Sequence, residues 1–227
     1  MANFLCAADM KHVDPLNLEA CIRHLEAQGV DELHFDVADG RFVPQLGFSP
    51  ATLQAAKKLT SLPCHAHLLV DQPDRILPMI LDTGVDIVSL HVETCDHIHR
   101  ALGLIRNSGK KVGIAITATS SLTKLNYCLP MVDRLVLLGT DPVKPPPGMP
   151  RGAFERVRIL ADNIRYHEYA IEIDVEGPLA TEDAARCLRF GARRLVVDTH
   201  DVRGLGSDNH EPLQHYRQEI IAATQTV

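Results

Sequence analysis

The sequence predicts an α/β chain closed into a (β/α)₈ barrel, and three observations lead there. Short β-branched or apolar runs alternate with helix-period segments from one end to the other, the mark of βα units around a parallel sheet. The runs number eight, and each is short enough for a barrel strand. The first is followed by Ala7-Ala8-Asp9-Met10 and not by the glycine-rich loop that opens a doubly wound dinucleotide sheet, which favours closure. A length of 227 residues suits one such domain over residues 1–227.

In order, the predicted strands are Phe4 to Ala7, Glu32 to Asp36, Cys64 to Leu69, Ile87 to His91, Lys111 to Ile116, Arg134 to Leu138, Ala170 to Asp174 and Arg194 to Val197. Asp14-Pro15 reads as N-cap and first turn of a helix that buries Leu18, Cys21, Ile22 and Leu25 and stops at Gly29. Ser49-Pro50 opens the next helix in the same way. Thr94 or Asp96 opens the fourth, and Thr181 caps one that buries Ala184, Cys187 and Leu188. Gly84, Gly109 and Gly191 are placed to close helices. Lys144-Pro145-Pro146-Pro147-Gly148-Met149-Pro150, after the sixth strand, reads as an ordered active-site loop.

Hydrophobic residues make up 45% and charged residues 23%, enough apolar matter for a sizeable core and too much for disorder. The net charge of −6, with no lysine or arginine run, argues against nucleic acid and anionic membrane as partners and for small-molecule chemistry. Six scattered cysteines without a C-x-x-C pair signal neither zinc ribbon nor disulfide framework; they read as reduced, mostly buried thiols. With no basic leader before the first apolar run and no membrane-length apolar stretch, a cytoplasmic location is expected.

Function should sit where the βα loops converge, at the C-terminal ends of the strands. His34-Phe35-Asp36 ends the second strand, and alternation turns His34 and Asp36 to one side. His65-Ala66-His67 on the third and Glu172-Ile173-Asp174 on the seventh place polar groups where a structural strand wants apolar ones. Two imidazoles and two carboxylates suit a borderline divalent ion such as zinc, manganese, cobalt or ferrous iron. A plainer account is that these buried groups only satisfy one another.

The stretch His34-Phe35-Asp36-Val37-Ala38-Asp39-Gly40-Arg41-Phe42-Val43-Pro44 resembles the motif H-x-D-V-M-D-x-x-[FY]-V-P-N of the ribulose-phosphate 3-epimerase family. His65-Ala66-His67-Leu68-Leu69-Val70 with Pro73 resembles its D-x-H-L-M-V-x-x-P, His91-Val92-Glu93 its fourth-strand H-x-E, and Glu172-Ile173-Asp174 its seventh-strand E-V-D. The similarity runs from about Phe4 to Val197. It implies a TIM barrel of the ribulose-phosphate-binding type, with His34, Asp36, His67 and Asp174 holding one divalent metal. It further implies that Asp36 and Asp174 are the acid/base pair, one removing a proton beside a ketone and the other returning one to the opposite face, through a metal-stabilised enediolate. A homo-oligomer and a ketose or ketose-phosphate substrate are implied in the same way.

Three loops depart from the family. Leu138-Gly139-Thr140-Asp141-Pro142-Val143-Lys144-Pro145-Pro146-Pro147 stands for M-S-V-N-P-G-F-G-G-Q, Asp174-Val175-Glu176-Gly177 for D-G-G, and Asp198-Thr199 for G-S. Those glycines and that serine cradle a phosphate in the family, so acidic or bulky replacements argue for a different substrate tail. Ala7 stands for a serine, and Ala38, Leu69 and Leu138 for methionines. The expected substrate-binding residues are Ala7, Leu138, Lys144, Gly177, Asp198 and Thr199, with Lys144, Arg151 or Arg203 available as cations. Rival readings are a related isomerase or aldol-type enzyme on an unphosphorylated or carboxylated sugar, and a non-catalytic sugar- or metal-binding barrel. A decarboxylase of related barrels is disfavoured, because its D-x-K-x-x-D strand is absent.

Overall fold

Every strand of this chain sends apolar side chains outward under the helices, while its inward positions hold much of the buried polar inventory. The computed structural model describes residues 4–141, 148–198 and 213–225. The strands are β1 (Leu5–Asp9), β2 (Glu32–Ala38), β3 (Cys64–Leu69), β4 (Ile87–His91), β5 (Lys111–Ile116), β6 (Arg134–Leu138), β7 (Glu172–Glu176) and β8 (Arg194–Asp198). They pair in parallel in sequence order, and β8 returns to β1 to close the barrel. The helices α1 (Leu18–Gln28), α2 (Pro50–Leu59), α3 (Leu77–Leu81), α4 (Ile98–Asn107), α5 (Arg151–Tyr166), α6 (Thr181–Arg189) and α7 (Leu213–Gln225) accompany it. Their buried faces, such as Leu160 and Ile164 on α5, meet the outward residues Leu135, Leu137, Ile173 and Val175 in one core.

The local signals act largely as expected. Asp14 accepts from the Leu16 amide to open a 3-10 turn that leads into α1, and Gly29 ends that helix with φ of 80°. Ser49 caps α2 through the Thr52 amide, with Pro50 in the first turn. Two caps differ: α4 starts behind His97, one residue past Asp96 and three past Thr94, and Thr181 is the first helical residue of α6, behind Ala180. The cysteines are free thiols, five of them buried. Among the described residues no helix is long and apolar enough to cross a membrane.

The strand ends matter more. β1 runs on to Asp9 and β7 to Glu176, each two residues past its predicted end. In a strand two residues are one full pleat repeat, roughly 6.6 Å along the strand, so each extension brings a further inward side chain to the top of the barrel.

Gly47 shows how tightly the top of β2 is held. The loop after β2 folds back so that the Gly47 amide donates to the Ala38 carbonyl and the Phe48 amide to the Asp36 carbonyl. A Cβ on Gly47 would lie 2.2 Å from the Asp36 carbonyl oxygen and 2.5 Å from the Ala38 nitrogen, both backbone atoms. Gly47→Ala is therefore expected to cost about 2 kcal/mol, in the range of an overpacked site that cannot yield, and to displace Asp36. Thermal melting with a metal titration checks both.

Candidate metal centre

The barrel interior holds two polar layers, one above the other. In the lower one Arg134 lies across the barrel from Glu32, and its guanidinium donates to Glu32 Oε2 at 3.0 Å and Oε1 at 3.1 Å. The same guanidinium holds Asp174, with Nε 3.1 and 2.9 Å from the two carboxylate oxygens and Nη2 in closer contact. Arg194 adds a bond to Asp174 Oδ1 at 2.9 Å. His65 completes the layer, with Nε2 2.6 Å from Ser89 Oγ and Nδ1 3.3 Å from Glu32. Burial drives the His65 imidazole down to about 4, so it is neutral, and Glu32, although burial opposes it, stays far below the usual carboxylate range through His65 and Arg134.

The upper layer is the candidate metal centre. His34, Asp36, His67 and Glu176 each offer one atom, and these atoms all lie within 4.8 Å of one another. His67 Nδ1 is 3.1 Å from Asp36 Oδ1, 3.3 Å from His34 Nε2 and 3.3 Å from Glu176 Oε2. His34 Nε2 is 3.4 Å from Asp36 Oδ1 and 3.5 Å from Glu176 Oε2. All four residues are buried, and Glu176 Oε2 has no hydrogen-bond partner among the described residues. Two carboxylates and two imidazoles aimed at one point, with an acid oxygen left unsatisfied, fit a divalent cation better than a self-contained hydrogen-bond network.

Charges in this layer are strongly coupled. Burial pulls the imidazoles toward neutrality, but hydrogen bonding to Asp36 and the negative charges of Asp36 and Glu176 outweigh it, raising His67 to about 9 and His34 well above its ordinary value. Glu176 is held well below the usual range, since the two imidazoles outweigh its own desolvation; Asp36 is lowered despite burial and the Glu176 charge. The protons on the imidazoles occupy the role that a dication would fill.

Three of the four residues expected to share the metal, His34, Asp36 and His67, are brought together, and Asp174 is not. The separation has a plain cause. Asp174 points inward like Glu176 but one layer lower, where both its oxygens are taken by Arg134 and Arg194. Glu176 stands in the place expected for it. The signal was in the sequence: Asp174-Val175-Glu176-Gly177 repeats the acid-x-acid pattern two residues on, with a glycine directly after the second acid, as in D-G-G.

Asp9 is a second residue that sequence reasoning passed over, because β1 was ended two residues early. It pairs in register with His34 and with Asp198, is 5% exposed, and accepts from the Lys11 amide. Burial, then the charges of Asp36 and Glu176, push its carboxyl up to about 8. Of the expected substrate contacts, Leu138, Gly177 and Asp198 line a recess beside Glu176, whereas Ala7 is fully buried in β1. Lys144, Thr199 and Arg203 lie outside the described residues, and Arg151 is exposed at the start of α5. Ala38, Leu69 and Leu138 join Phe42, Val43, Ala115 and Val136 in an apolar wall around the upper layer.

A chain of hydrogen bonds leads away from His67. Its Nε2 is 3.0 Å from His91 Nε2, His91 Nδ1 is 3.0 Å from Glu93 Oε2, and Glu93 Oε1 accepts from the Thr117 amide and hydroxyl at 2.8 and 2.9 Å. Burial, which outweighs Glu93, keeps the His91 imidazole below its ordinary value. A neutral His91 that donates from Nδ1 to Glu93 accepts at Nε2 from His67, leaving the His67 Nδ1 lone pair for a cation.

Glu93 is held at about 2 because His91 and the other donors outweigh its desolvation. With the folded value below the ordinary 4.5, its stabilisation is present above about pH 4.5 and fades as pH falls toward 2. Acid unfolding of Glu93→Gln should accordingly be flatter than that of the unaltered protein over that window, and its metal affinity about tenfold weaker.

The sequence model of the ribulose-phosphate 3 epimerase family matches residues 5–200. The ribulose-phosphate 3-epimerase of Bacillus subtilis is 33% identical over 184 residues, covering 78% of this chain and 82% of the relative. That of Aquifex aeolicus is 32% identical over 169 residues, covering 74% and 76%. Among solved structures, phosphoribosyl anthranilate isomerase from Thermus thermophilus superposes with a TM-score of 0.65 at 15% identity, over 96% of this chain and 98% of that one. A tryptophan synthase α-subunit variant from Pyrococcus furiosus gives 0.65 at 14%, over 100% and 99%. The structural likenesses speak for the barrel alone; the sequence match, together with His34, Asp36 and His67 at the tops of adjacent strands, makes this chain a member of the ribulose-phosphate 3-epimerase family.

Proposed function

We propose that this chain is a metal-dependent carbohydrate epimerase that inverts a carbon next to a ketone in a ketose or ketose phosphate. The observation that carries the proposal is the convergence of four buried donor atoms, from His34, Asp36, His67 and Glu176, at the C-terminal end of the barrel. These four would hold the metal, with zinc, manganese, iron and cobalt all compatible with nitrogen-plus-oxygen donors. When bound, the metal supplies positive charge beside the ketone and neighbouring hydroxyl oxygens and so acidifies the carbon between them.

The chain's own residues do the rest. Asp36, near the end of β2, and Glu176, ending β7, approach the site from separate strands, as two carboxylates must if one takes a proton from one face and the other delivers one to the opposite face. Each turnover starts with one of the pair as the carboxylate, which takes the proton, and the other as the carboxylic acid, which gives one up, so the two exchange protonation states in the reaction and their roles exchange with its direction. The apolar wall of Phe42, Val43, Leu69, Val136 and Leu138 limits water around the exchanging proton. His91 and Glu93 hold His67 in the tautomer that faces the site.

Deuterium uptake from heavy water into a panel of ketoses and their phosphates tests the proposal. Metal-loaded protein should label one carbon beside the ketone, and both chelator-treated protein and Asp36→Asn should not. Metal binding without exchange across the panel would instead indicate a binding barrel.

A further inference from the structure

Beside Glu176, at the ends of β1, β6, β7 and β8, a recess opens that is lined by Asp9, Lys11, Thr140, Asp141, Pro178 and Asp198. On the reading above, the part of a ketose remote from the reacting carbon extends into it. Glu176, a residue 8% exposed, also lines this recess, so it opens onto the site. From its lining the geometry points to a substrate whose tail is an uncharged polyhydroxy chain, an unphosphorylated ketose, and not a phosphate ester. The inference rests on the proposed epimerase activity.

Three features carry it. The first is charge. A phosphate monoester brings roughly −1.5 to −2 charges at neutral pH and needs a surplus of cations or amide donors. Asp36 and Glu176 cancel a bound dication. Of the remaining charged groups in the lining, the two acids Asp141 and Asp198 outnumber Lys11, and the one further basic group recorded at its edge, His12, lies with Nε2 3.3 Å from Asp198. No positive surplus is left for a dianion among the described residues.

The second feature is the turn after β7. Pro178 follows Gly177 there, and proline has no N–H to offer an anion. The third is Met149. Its thioether lies where a Cβ on Gly139 would stand, 2.2 to 2.5 Å away, and 3.0 Å from one on Gly177. These two glycines at the rim are thus occupied in seating an apolar side chain. Sugar hydroxyls, in contrast, carry the protons that Asp141, Asp198 and the Thr140 hydroxyl are able to accept.

The test compares ribulose with ribulose 5-phosphate on metal-loaded protein, by calorimetric binding and by deuterium exchange. The expected result is at least about tenfold tighter binding and faster exchange for the free sugar, with Asp198→Asn narrowing that ratio several-fold at unchanged melting temperature. Stronger binding or faster exchange of the phosphate ester overturns the inference. If the free sugar binds more tightly but neither compound exchanges, the tail preference stands and the epimerase reading falls. If neither binds, both fall.

Discussion

Glu176→Gln is expected to weaken divalent-metal binding by at least about 100-fold, beyond the effect of losing an outer-shell partner, and to remove deuterium exchange into the ketose by roughly 10²–10⁴-fold. The substitution keeps the size of the side chain and removes the oxygen charge that sits 3.3 Å from His67 Nδ1 and 3.5 Å from His34 Nε2. Folding should suffer little, because Glu176 is not part of the arginine-bridged layer below. Metal titration by calorimetry and exchange by proton NMR read the two effects separately. Unchanged metal affinity would remove Glu176 from the donor set.

Asp174→Ala should behave in the opposite way, leaving metal affinity within a few-fold and lowering stability by about 3–5 kcal/mol. Asp174 is fully buried and is the shared acceptor of two guanidiniums, Arg134 and Arg194, of which the first is 1% exposed. Its loss leaves Arg134 with Glu32 alone and Arg194 with Glu172 and a distant Glu32, a surplus of positive charge inside the barrel. For a chain of this size the loss corresponds to a fall in melting temperature of about 10 °C. A mild effect on stability with a large one on metal would restore Asp174 to the centre. The pair of variants thus separates two acids that stand two residues apart on one strand.

That pair also marks where sequence reasoning reached its limit. The barrel was legible because alternation of strand and helix patterns, with caps such as Ser49-Pro50 and stops such as Gly29, is written locally in the chain. His34, Asp36 and His67 were legible because two adjacent strands carry them at their ends with period-two spacing. Asp174 was legible as an inward acid but its height was not, since inward positions on β7 recur every two residues and periodicity alone does not say which of them is at the top.

The sequence by itself determined the order of the eight strands, the sidedness of each and the chemistry of the inward residues, because these follow from local propensity and from a pleat with a period of two. Height within the barrel was decided only by the tertiary structure. The register Val136 to Asp174 and Leu138 to Glu176 between β6 and β7 sets Asp174 among the arginines and Glu176 beside the histidines. Register is a relation between strands, fixed by which buried charges find partners across the barrel, and Arg134 finds Glu32 at a separation of 102 residues. The period-two pattern within one strand does not carry that relation.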